Sequence, residues 1–338
     1  MVTPMWPGPD DPDFGAFLVP LVRELEALGH EMEVVAIDHR GRSRAKYARL
    51  TTEAIGQARR EPPDVVFAHM LFPAGASGAL AARVAKAPLV VMVHGQDVAN
   101  LGQIRGVAAA TGWVVRRAAC VISNSRWLAD RLTERLPAAA AKLEIANCGI
   151  DLNAFAPQPA AAARAELGWE GEGPAFLCVG SLIERKNVVR LAQAFESLGR
   201  GRLAFVGDGP LRRAVEGRQD VRVTGRIPQA DVPRWVASCD VLCQPSLIEP
   251  FGQATLEGMA MERSVVATTV GGPPEFVSPD AGVLVDPTDT GAIAAALERA
   301  AQLPSPNPAA RDAAAQHDVR RQAARMAKVL EHAVTQRN

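Results

Sequence analysis

Two glutamates in the second half of the chain have a spacing that suits an extended polar ligand. Glu249 and Glu257 have seven residues between them. A predicted strand ends near Ser246, and Pro250 and Gly252 mark the turn that follows. The next residues, ATLEGMAM, predict a helix with Glu257 about five residues inside it. With a rise of about 1.5 Å per residue, the two carboxylates start roughly 8 Å or more apart, too far for a shared proton but suited to the two ends of one ligand.

The start of this predicted helix offers donors for an oxygen-rich group. The backbone amides of Phe251, Gly252 and Gln253 have no partners inside the helix. The missing side chain at Gly252 allows a ligand to approach closely. Glutamates in such a pattern are also commonly solvated or cap a helix, and the spacing alone does not decide between these roles.

Two cations follow the first predicted strand of the second half, which ends at Gly180. Arg185 and Lys186 lie where cationic donors could bind an anionic group such as a diphosphate. The alternative is a solvated basic pair at a helix start.

Polar groups also follow a predicted strand in the first half. His94 ends PLVVMVH and precedes GQD, and a histidine after a strand end can cap a loop or act as a hydrogen-bond donor to a ligand. Asp97 is a weaker candidate. Gly15, which is expected to open the first helix, could place helix-start amides beside an anionic group of a ligand or could be an ordinary turn glycine.

Three other patterns imitate known sites without completing them. The VGDG segment has only part of the dinucleotide fingerprint, which argues against an NAD enzyme. Asp11 and Asp13 resemble an acidic metal motif, but they lie in a proline-rich loop and are predicted to be solvated. Cys239 and Cys243 lack a second pair and do not predict a zinc site.

The composition favours a small ligand and a cytoplasmic location. The chain has 37 Lys and Arg against 37 Asp and Glu, and this balance gives no general attraction to nucleic acid or acidic lipid. Its five cysteines are an odd number, mostly inside apolar runs, and indicate reduced core residues. No signal peptide or apolar run of about 18 residues appears. A short basic cluster, RGRSRAKYAR from Arg40, is either a solvated face or a peripheral contact with anionic lipid on the inner face of the membrane.

Two series of strands must position these residues. A chain of 338 residues exceeds one hydrophobic core, which favours two domains. The first series of apolar runs is MEVVAID, DVVFAH, PLVVMVHG, ACVISNS and LEIANCG. The second series is AFLCVGSL, RLAFVGDG, VRVTGRI, DVLCQPS, SVVATTVGG and GVLVDP. Because helical stretches alternate with these runs, we predict an α/β protein with two Rossmann-like, doubly wound parallel sheets facing a cleft. Ligands of such sheets bind beyond the carboxyl ends of the strands, where the glutamates, the cations and His94 lie.

The predicted lobes divide near the middle of the chain. We expect a first lobe over residues 1–154 and a linker with the second lobe over 155–317. The Pro-, Gly- and Ala-rich residues 155–174 are expected to form the connection, with one short helix. VTPMW supplies only the end of a first strand, which fits either a late start of the sequence or an unusually short strand.

Several blocks along the chain together resemble one known family. The blocks of the second half are VGSLIERKN, FVGDGPLRR, TGRIP, PSLIEPFGQATLEGMA, TTVGGPPEFV and GVLVDP. Those of the first half are GAFLVPLVRELEALGHEMEVV, DVVFAHMLFPAG, VHGQDV, VISNSRWLADRL and NCGIDLNAF. In this order they resemble the retaining glycosyltransferases of family 4, which have the GT-B fold. The resemblance covers nearly the whole chain, and the paired glutamates are its most specific part.

The resemblance implies a role for each candidate residue. Glu249 would lie near hydroxyls of the transferred sugar, Glu257 would accept hydrogen bonds from the ribose of the nucleotide, and His94 would reach the reacting sugar. The implied catalytic set is His94, Arg185, Lys186 and Glu249. The implied donor-binding set is Gly15, Gly180, Arg185, Lys186, Gly207, Ile227, Glu249, Phe251, Gly252, Gln253 and Glu257.

The chain departs from the family at one position. Ser181 follows Gly180 where the family usually has an arginine. Lys186 matches the family's lysine, and Arg185 is the candidate replacement for the arginine.

The implied reaction moves a hexose-type unit from a nucleotide diphosphate sugar to an acceptor hydroxyl, with retention and without a metal or cofactor. The acceptor would be a sugar, a lipid-linked molecule or a small molecule, and loops at 41–49 and 100–106 are expected to bind it. A last helix over about 318–336 is expected to pack back on the first lobe. The alternatives are an epimerase or sugar phosphorylase on the same fold, and a non-catalytic protein that binds nucleotide sugars.

Overall fold

The chain folds into two compact units. The structure is a computed structural model, and it describes residues 1–41, 43–103 and 106–336. Met1–Gly149 and the residues from Val319 onward form the first unit, and Ile150–Asp318 form the second.

The first unit contains a six-stranded parallel sheet. Its strands are β1 (Val2–Thr3), β2 (Val35–Ala36), β3 (Val66–His69), β4 (Leu89–Val93), β5 (Cys120–Ser123) and β6 (Leu143–Ile145). They are ordered β2-β1-β3-β4-β5-β6. All pairs are parallel, and His69 lies opposite Met92 in the register of β3 and β4. The carboxyl ends of β3 and β4 are therefore neighbours.

The second unit contains another six-stranded parallel sheet. Its strands are β7 (Ala175–Val179), β8 (Arg202–Val206), β9 (Val221–Gly225), β10 (Val241–Gln244), β11 (Ser264–Thr268) and β12 (Gly282–Val285). The order is β12-β11-β10-β7-β8-β9. This is the order of the dinucleotide-binding fold, in which the chain reverses direction across the sheet between the first and fourth strands, here β7 and β10. A ligand is expected beyond the carboxyl ends of these two strands.

Helices connect the strands and cover both faces of each sheet. In the first unit they are α1 (Leu18–Ala27), α2 (Ala45–Arg60), α3 (Ala74–Ala85), α4 (Gln96–Ala99), α5 (Val107–Arg117) and α6 (Arg126–Arg135). In the second unit they are α7 (Ala160–Leu167), α8 (Val188–Leu198), α9 (Arg212–Val215), α10 (Val232–Ser238), α11 (Gln253–Ala260), α12 (Thr290–Ala300) and α13 (Pro308–Ala315). The last helix, α14 (Val319–Thr335), belongs to the first unit. Side chains cap several of these helices, as when Ser125 accepts from the amide of Leu128 at the start of α6.

Each sheet is buried on both faces. In the first unit, α1 and α14 cover one face through a cluster that includes Leu18, Leu25, Met326 and Leu330, and α2, α3, α5 and α6 cover the other. Because the strands have helices on both faces, their sequences are continuous apolar runs rather than alternating ones.

Three side chains of residues 155–174 are buried in the core of the second unit. Helix α7 lies within this segment, and Phe155, Ala163 and Trp169 are buried in the same cluster as Trp235. The segment therefore contains the one short helix expected of it, and the three buried side chains attach it to the second unit.

Candidate functional site

The loop after β7 carries the two cations. The chain leaves the strand at Gly180 and enters a 3-10 turn over Glu184–Lys186. Buried Asn187 closes this turn, and its Nδ2 donates to the carbonyl oxygens of Pro245 at 2.9 Å and Pro287 at 2.7 Å. This amide holds the turn against the loops that follow β10 and β12.

Lys186 and Glu249 form an ion pair at the point where the sheet order reverses. Nζ of Lys186 donates to Oε2 of Glu249 at 2.6 Å, and Oγ of Ser246 donates to the same oxygen at 3.1 Å. Arg185 lies 4.0 Å from the other carboxylate oxygen and donates to the carbonyl oxygen of Ile248 at 3.0 Å. The sequence predicted separate contacts of the cations with a diphosphate and of Glu249 with a sugar. The structure brings all three side chains into one cluster.

Glu249 is ionised at neutral pH although it is largely buried. Burial raises the pKa of its carboxyl, but the charges of Lys186 and Arg185 and the hydrogen bonds from Lys186 and Ser246 bring it below its usual value.

Glu257, the fifth residue of α11, has the opposite protonation. Its side chain is buried, and no described residue donates a hydrogen bond to it. Burial raises the pKa of this carboxyl to about 8, against a weaker opposing attraction from Lys186. Glu257 is therefore mostly protonated at neutral pH, whereas the expected role needs a carboxylate that accepts ribose hydroxyls. Binding of such a ligand would have to release the proton.

Helix α11 begins at a glycine that the fold requires. Gly252 is its N-cap, with φ of 109°, and among the described residues no side chain caps this helix. A Cβ at Gly252 would lie 3.2 Å from the ring of Phe276 and 3.3 Å from Pro273. The positive φ favours glycine, and a Cβ would also require these two neighbouring side chains to shift by a few tenths of an ångström.

The other predicted donor-binding residues of this unit have packing contacts. The ring of Phe251 lies 5.8 Å from that of Phe276 and 5.9 Å from that of His317. Ile227, after β9, packs partly buried against the same core, and Gln253 is the first residue of α11. A Cβ at Gly207 would overlap the carbonyl group of Gly180, so Gly207 lets the loops after β7 and β8 touch. Their contacts with a donor remain predictions.

In the first unit, His94 is paired with a second histidine. Its Nε2 lies 2.9 Å from Nδ1 of His69, the last residue of β3. Burial lowers the pKa of His94 to about 4, although Asp97 attracts the charged form. Buried Asp97 also braces the main chain, since Oδ1 accepts from the amides of His94 and Gly95 and Oδ2 accepts from the amide of Leu71. His94 is therefore a neutral imidazole on a fixed backbone.

Gly15 does not open α1. It lies three residues before the helix, which begins at Leu18. Its φ is 73°, and a Cβ would come within 2.6 Å of the carbonyl oxygen of Met5. The structure thus shows a sterically required turn glycine, and a contact of its loop with phosphate stays a prediction.

The prediction that Asp11 is solvated was wrong. Asp11 is buried, and its two oxygens accept from the backbone amide and from Nη1 of Arg40, each at 2.8 Å. Asp13 is exposed and accepts two hydrogen bonds from the same guanidinium. Arg40 is therefore neutralised locally because the fold brings it to both carboxylates.

The rest of the basic cluster is only partly described. Arg49 pairs with Glu53 at 2.7 Å. Arg42, in the cluster and in the expected acceptor loop 41–49, lies outside the described residues, as do Ile104 and Arg105 of the loop 100–106. Contact with anionic lipid stays a prediction.

Sequence reasoning missed three residues of these strand ends. In the sequence, His69 and Asn124 lie within predicted strands without a functional role, and Ser246 only marks the end of one. Asn124 follows β5, and its buried Oδ1 has no hydrogen-bond partner in the described chain. One signal could have found them: each is a polar residue at or just beyond the carboxyl end of a predicted strand.

Two features are absent from the described residues. No helix there is long and apolar enough to cross a membrane. No group of three or more His, Cys, Asp or Glu side chains there is arranged to hold a metal ion. The five cysteines form no disulfide, and all except the half-buried Cys120 lie in the core, as expected for four of the five.

Family models match both halves of the chain. A model described as Glycosyltransferase Family 4 matches residues 15–154. A model described as Glycosyl transferases group 1 matches residues 173–302.

Characterised proteins and solved structures are similar over most of the chain. A 2-deoxystreptamine glucosyltransferase of Streptomyces kanamyceticus is 30% identical over 257 residues, which cover 69% of this chain and 66% of that protein. A GDP-mannose-dependent alpha-(1-6)-phosphatidylinositol monomannoside mannosyltransferase of Mycolicibacterium smegmatis is 30% identical over 245 residues, covering 67% and 64%. The chain thus spans a little under two thirds of the length of these relatives. A sucrose-phosphate synthase from Thermosynechococcus elongatus has a TM-score of 0.78 and 20% identity, covering 94% of this chain and 92% of that one. This likeness concerns the fold alone, and it confirms the GT-B fold.

Proposed function

The chain belongs to the group 1 glycosyl transferases of family 4, and on that premise we propose that it transfers a sugar from a nucleotide diphosphate sugar to an acceptor hydroxyl with retention of configuration. One observation carries the proposal. The cluster of Lys186, Arg185 and Glu249 lies beyond the carboxyl ends of β7 and β10, where this strand order binds nucleotides.

The diphosphate of the donor is proposed to bind to the cations of this cluster. An ammonium group has three donors, and in Lys186 only the one directed at Glu249 has a partner among the described residues. One N–H of the Arg185 guanidinium donates to the carbonyl oxygen of Ile248, and its other N–H groups are proposed to donate to phosphate oxygens. The backbone amides at the start of α11 add donors from the other side. These groups also stabilise the charge that develops on the leaving diphosphate.

The two glutamates are proposed to bind different sugar rings. Glu249 is already ionised, so it accepts hydrogen bonds from hydroxyls of the transferred sugar. Glu257 accepts from the ribose hydroxyls after it loses its proton. The two carboxyls have opposite pKa shifts because burial raises the pKa of Glu257, whereas the charges of Lys186 and Arg185 and two hydrogen bonds outweigh burial at Glu249.

The proposed chemistry needs no protein nucleophile. The bond from the anomeric carbon to the diphosphate oxygen breaks, and the bond to the acceptor oxygen forms on the same face through an oxocarbenium-like state. The leaving phosphate oxygen takes the proton of the acceptor hydroxyl. In the first unit, His94 is the proposed donor to the reacting sugar, and it is neutral at physiological pH.

The relatives suggest the class of substrate. One is named for GDP-mannose and a phosphatidylinositol mannoside, and the other for glucosyl transfer to an aminocyclitol. We therefore propose a hexose donor and a hydroxyl acceptor that is a sugar, a glycolipid or a small molecule.

A panel of nucleotide sugars tests the function. Thermal shift with UDP-, GDP-, ADP- and dTDP-hexoses should show stabilisation by one base, since a ligand at about 100 times its Kd adds about 2.7 kcal/mol. Release of that nucleotide diphosphate should then depend on an added acceptor. Formation of sugar phosphate or an epimer without acceptor, or binding with no turnover on any acceptor, would contradict a transferase.

A further inference from the structure

The histidine pair in the first unit is formed by two adjacent strand ends. His69 ends β3, and His94 directly follows β4, its parallel neighbour. Nδ1 of His69 and Nε2 of His94 are 2.9 Å apart, and the ring centroids are 5.2 Å apart with planes inclined by 24°. The side chain of His69 is fully buried, and its ring also packs on that of Phe67 at 4.4 Å.

Only one hydrogen can lie between the two rings. Burial, with a further contribution from the other histidine, lowers the pKa of His69 well below its usual value, and burial lowers that of His94 to about 4. Both rings are neutral at physiological pH, so each carries one N–H. The hydrogen bond therefore has a direction, and that direction decides which nitrogen of His94 holds its hydrogen.

The buried far side of His69 decides the direction. Its Nε2 is buried and has no hydrogen-bond partner among the described residues. If His94 were the donor, the hydrogen of His69 would lie on this Nε2 as a buried N–H without an acceptor, which proteins rarely tolerate. If His69 donates from Nδ1, its Nε2 keeps only a bare lone pair. The second arrangement leaves His94 with its hydrogen on Nδ1.

The backbone around the pair is fixed. Asp97 is 2% exposed and accepts from the amide of His94 at 3.1 Å and from the amide of Leu71, two residues beyond His69, at 3.0 Å. One carboxylate thus holds both strand ends in place. No described residue uses Nδ1 of His94.

We propose that His69 is a positioning residue that holds His94 as the Nδ1–H tautomer by donating to its Nε2, so that Nδ1–H is the donor offered to substrate oxygen. The proposal rests on the proposed function for the role of His94 toward the substrate. The direction of the hydrogen bond between the rings does not rest on it.

Nitrogen-15 NMR of the unliganded protein tests the direction without turnover. The His94 signals are assigned by their loss in His94→Asn. The wild-type protein should show His94 protonated on Nδ1 and His69 also protonated on Nδ1. A His94 protonated on Nε2 would overturn the proposal.

Two variants of His69 separate positioning from packing. His69→Asn keeps an N–H donor near the place of Nδ1, whereas His69→Phe keeps an aromatic ring without a donor. The Nδ1–H signal of His94 should persist in the Asn variant and give way to Nε2–H or a mixture in the Phe variant. Persistence of Nδ1–H in a folded Phe variant would refute the role. If the Phe variant does not fold, the wild-type and Asn spectra still decide.

Kinetics connect the pair to the reaction. His69→Phe should lower kcat about five- to tenfold, the effect of one hydrogen bond, with the donor KM within about twofold. His69→Asn should recover most of kcat. Equal losses in both variants would point to a packing role and contradict the proposal. Absence of turnover in the wild-type protein would refute the proposed function, while the NMR result would still decide the direction of the hydrogen bond.

Discussion

Replacing Glu257 by glutamine should change how the stability of the protein depends on pH. The pKa of this carboxyl is about 8 in the folded protein, against an ordinary value of 4.5. Below pH 4.5 both the folded and the unfolded states hold the proton. The contribution of this carboxyl to the stability of the folded protein is therefore fully present there. Above this pH, the unfolded chain releases the proton while the folded protein keeps it. The free energy of unfolding therefore falls as pH rises, until the folded pKa is reached.

The magnitude follows from the size of the shift. Each pH unit in this window costs about 1.4 kcal/mol, and the full difference amounts to about 5 kcal/mol. Glutamine cannot ionise, so Glu257→Gln lacks this dependence. Burying the glutamine amide costs stability by the same amount at every pH, so it does not alter the pH dependence. We therefore expect the variant to gain stability relative to the wild-type protein by about 3 to 5 kcal/mol between about pH 5 and pH 8.

Denaturant unfolding of both proteins across this pH range measures the difference. Glu249→Gln is the matched control, because cations hold the folded pKa of Glu249 below its ordinary value. Its contribution to stability is present above the unfolded pKa and is lost only as pH falls through the folded pKa. The difference between this control and the wild-type protein should be constant between about pH 5 and pH 8. Parallel profiles for Glu257→Gln and the wild-type protein would refute the argument from burial.

The same proton should appear in ligand binding. If ribose hydroxyls bind the ionised carboxylate, nucleotide diphosphate binding near neutral pH releases a proton, and affinity rises with pH up to about 8. Calorimetry in buffers of different ionisation enthalpy would detect that proton, and Glu257→Gln should abolish it. Release of the same proton by the variant would exclude Glu257 as its source.

Three further predictions concern the donor site. Arg185→Ala should weaken donor binding by about 1.5 to 3 kcal/mol, as measured by calorimetry. Adding Ser181→Arg to this variant should recover a good part of that loss. A loss below about 0.5 kcal/mol would identify Arg185 as an ordinary surface residue. Glu249→Ala should mainly harm turnover with the sugar donor, and binding of the bare nucleotide diphosphate should fall much less. Equal losses of both would contradict separate sugar rings. Turnover should survive EDTA, and loss of activity that only Mn²⁺ or Mg²⁺ restores would oppose the mechanism. NMR of the product should show the anomeric configuration of the donor, and an inverted product would also oppose the mechanism.

The sequence by itself determined the local structure and the position of the site along the chain. Apolar runs located the strands, and Pro250 and Gly252 located the turn before the helix that carries Glu257. These patterns are local because strand periodicity and turn chemistry depend on neighbouring residues. Since parallel sheets bind ligands beyond the carboxyl ends of their strands, the polar residues after the strands could be selected as candidates from sequence alone.

Only the tertiary structure decided which of these residues meet and which are charged. Lys186 meets Glu249 because β7 and β10 are neighbours in the sheet, and His69 meets His94 because β3 pairs with β4. Asp11 is buried because the fold brings Arg40 to it. The protonation of Glu257 depends on how completely distant segments exclude water from it. Contacts between remote segments, and the desolvation they cause, depend on strand order and packing, which no local pattern of residues specifies.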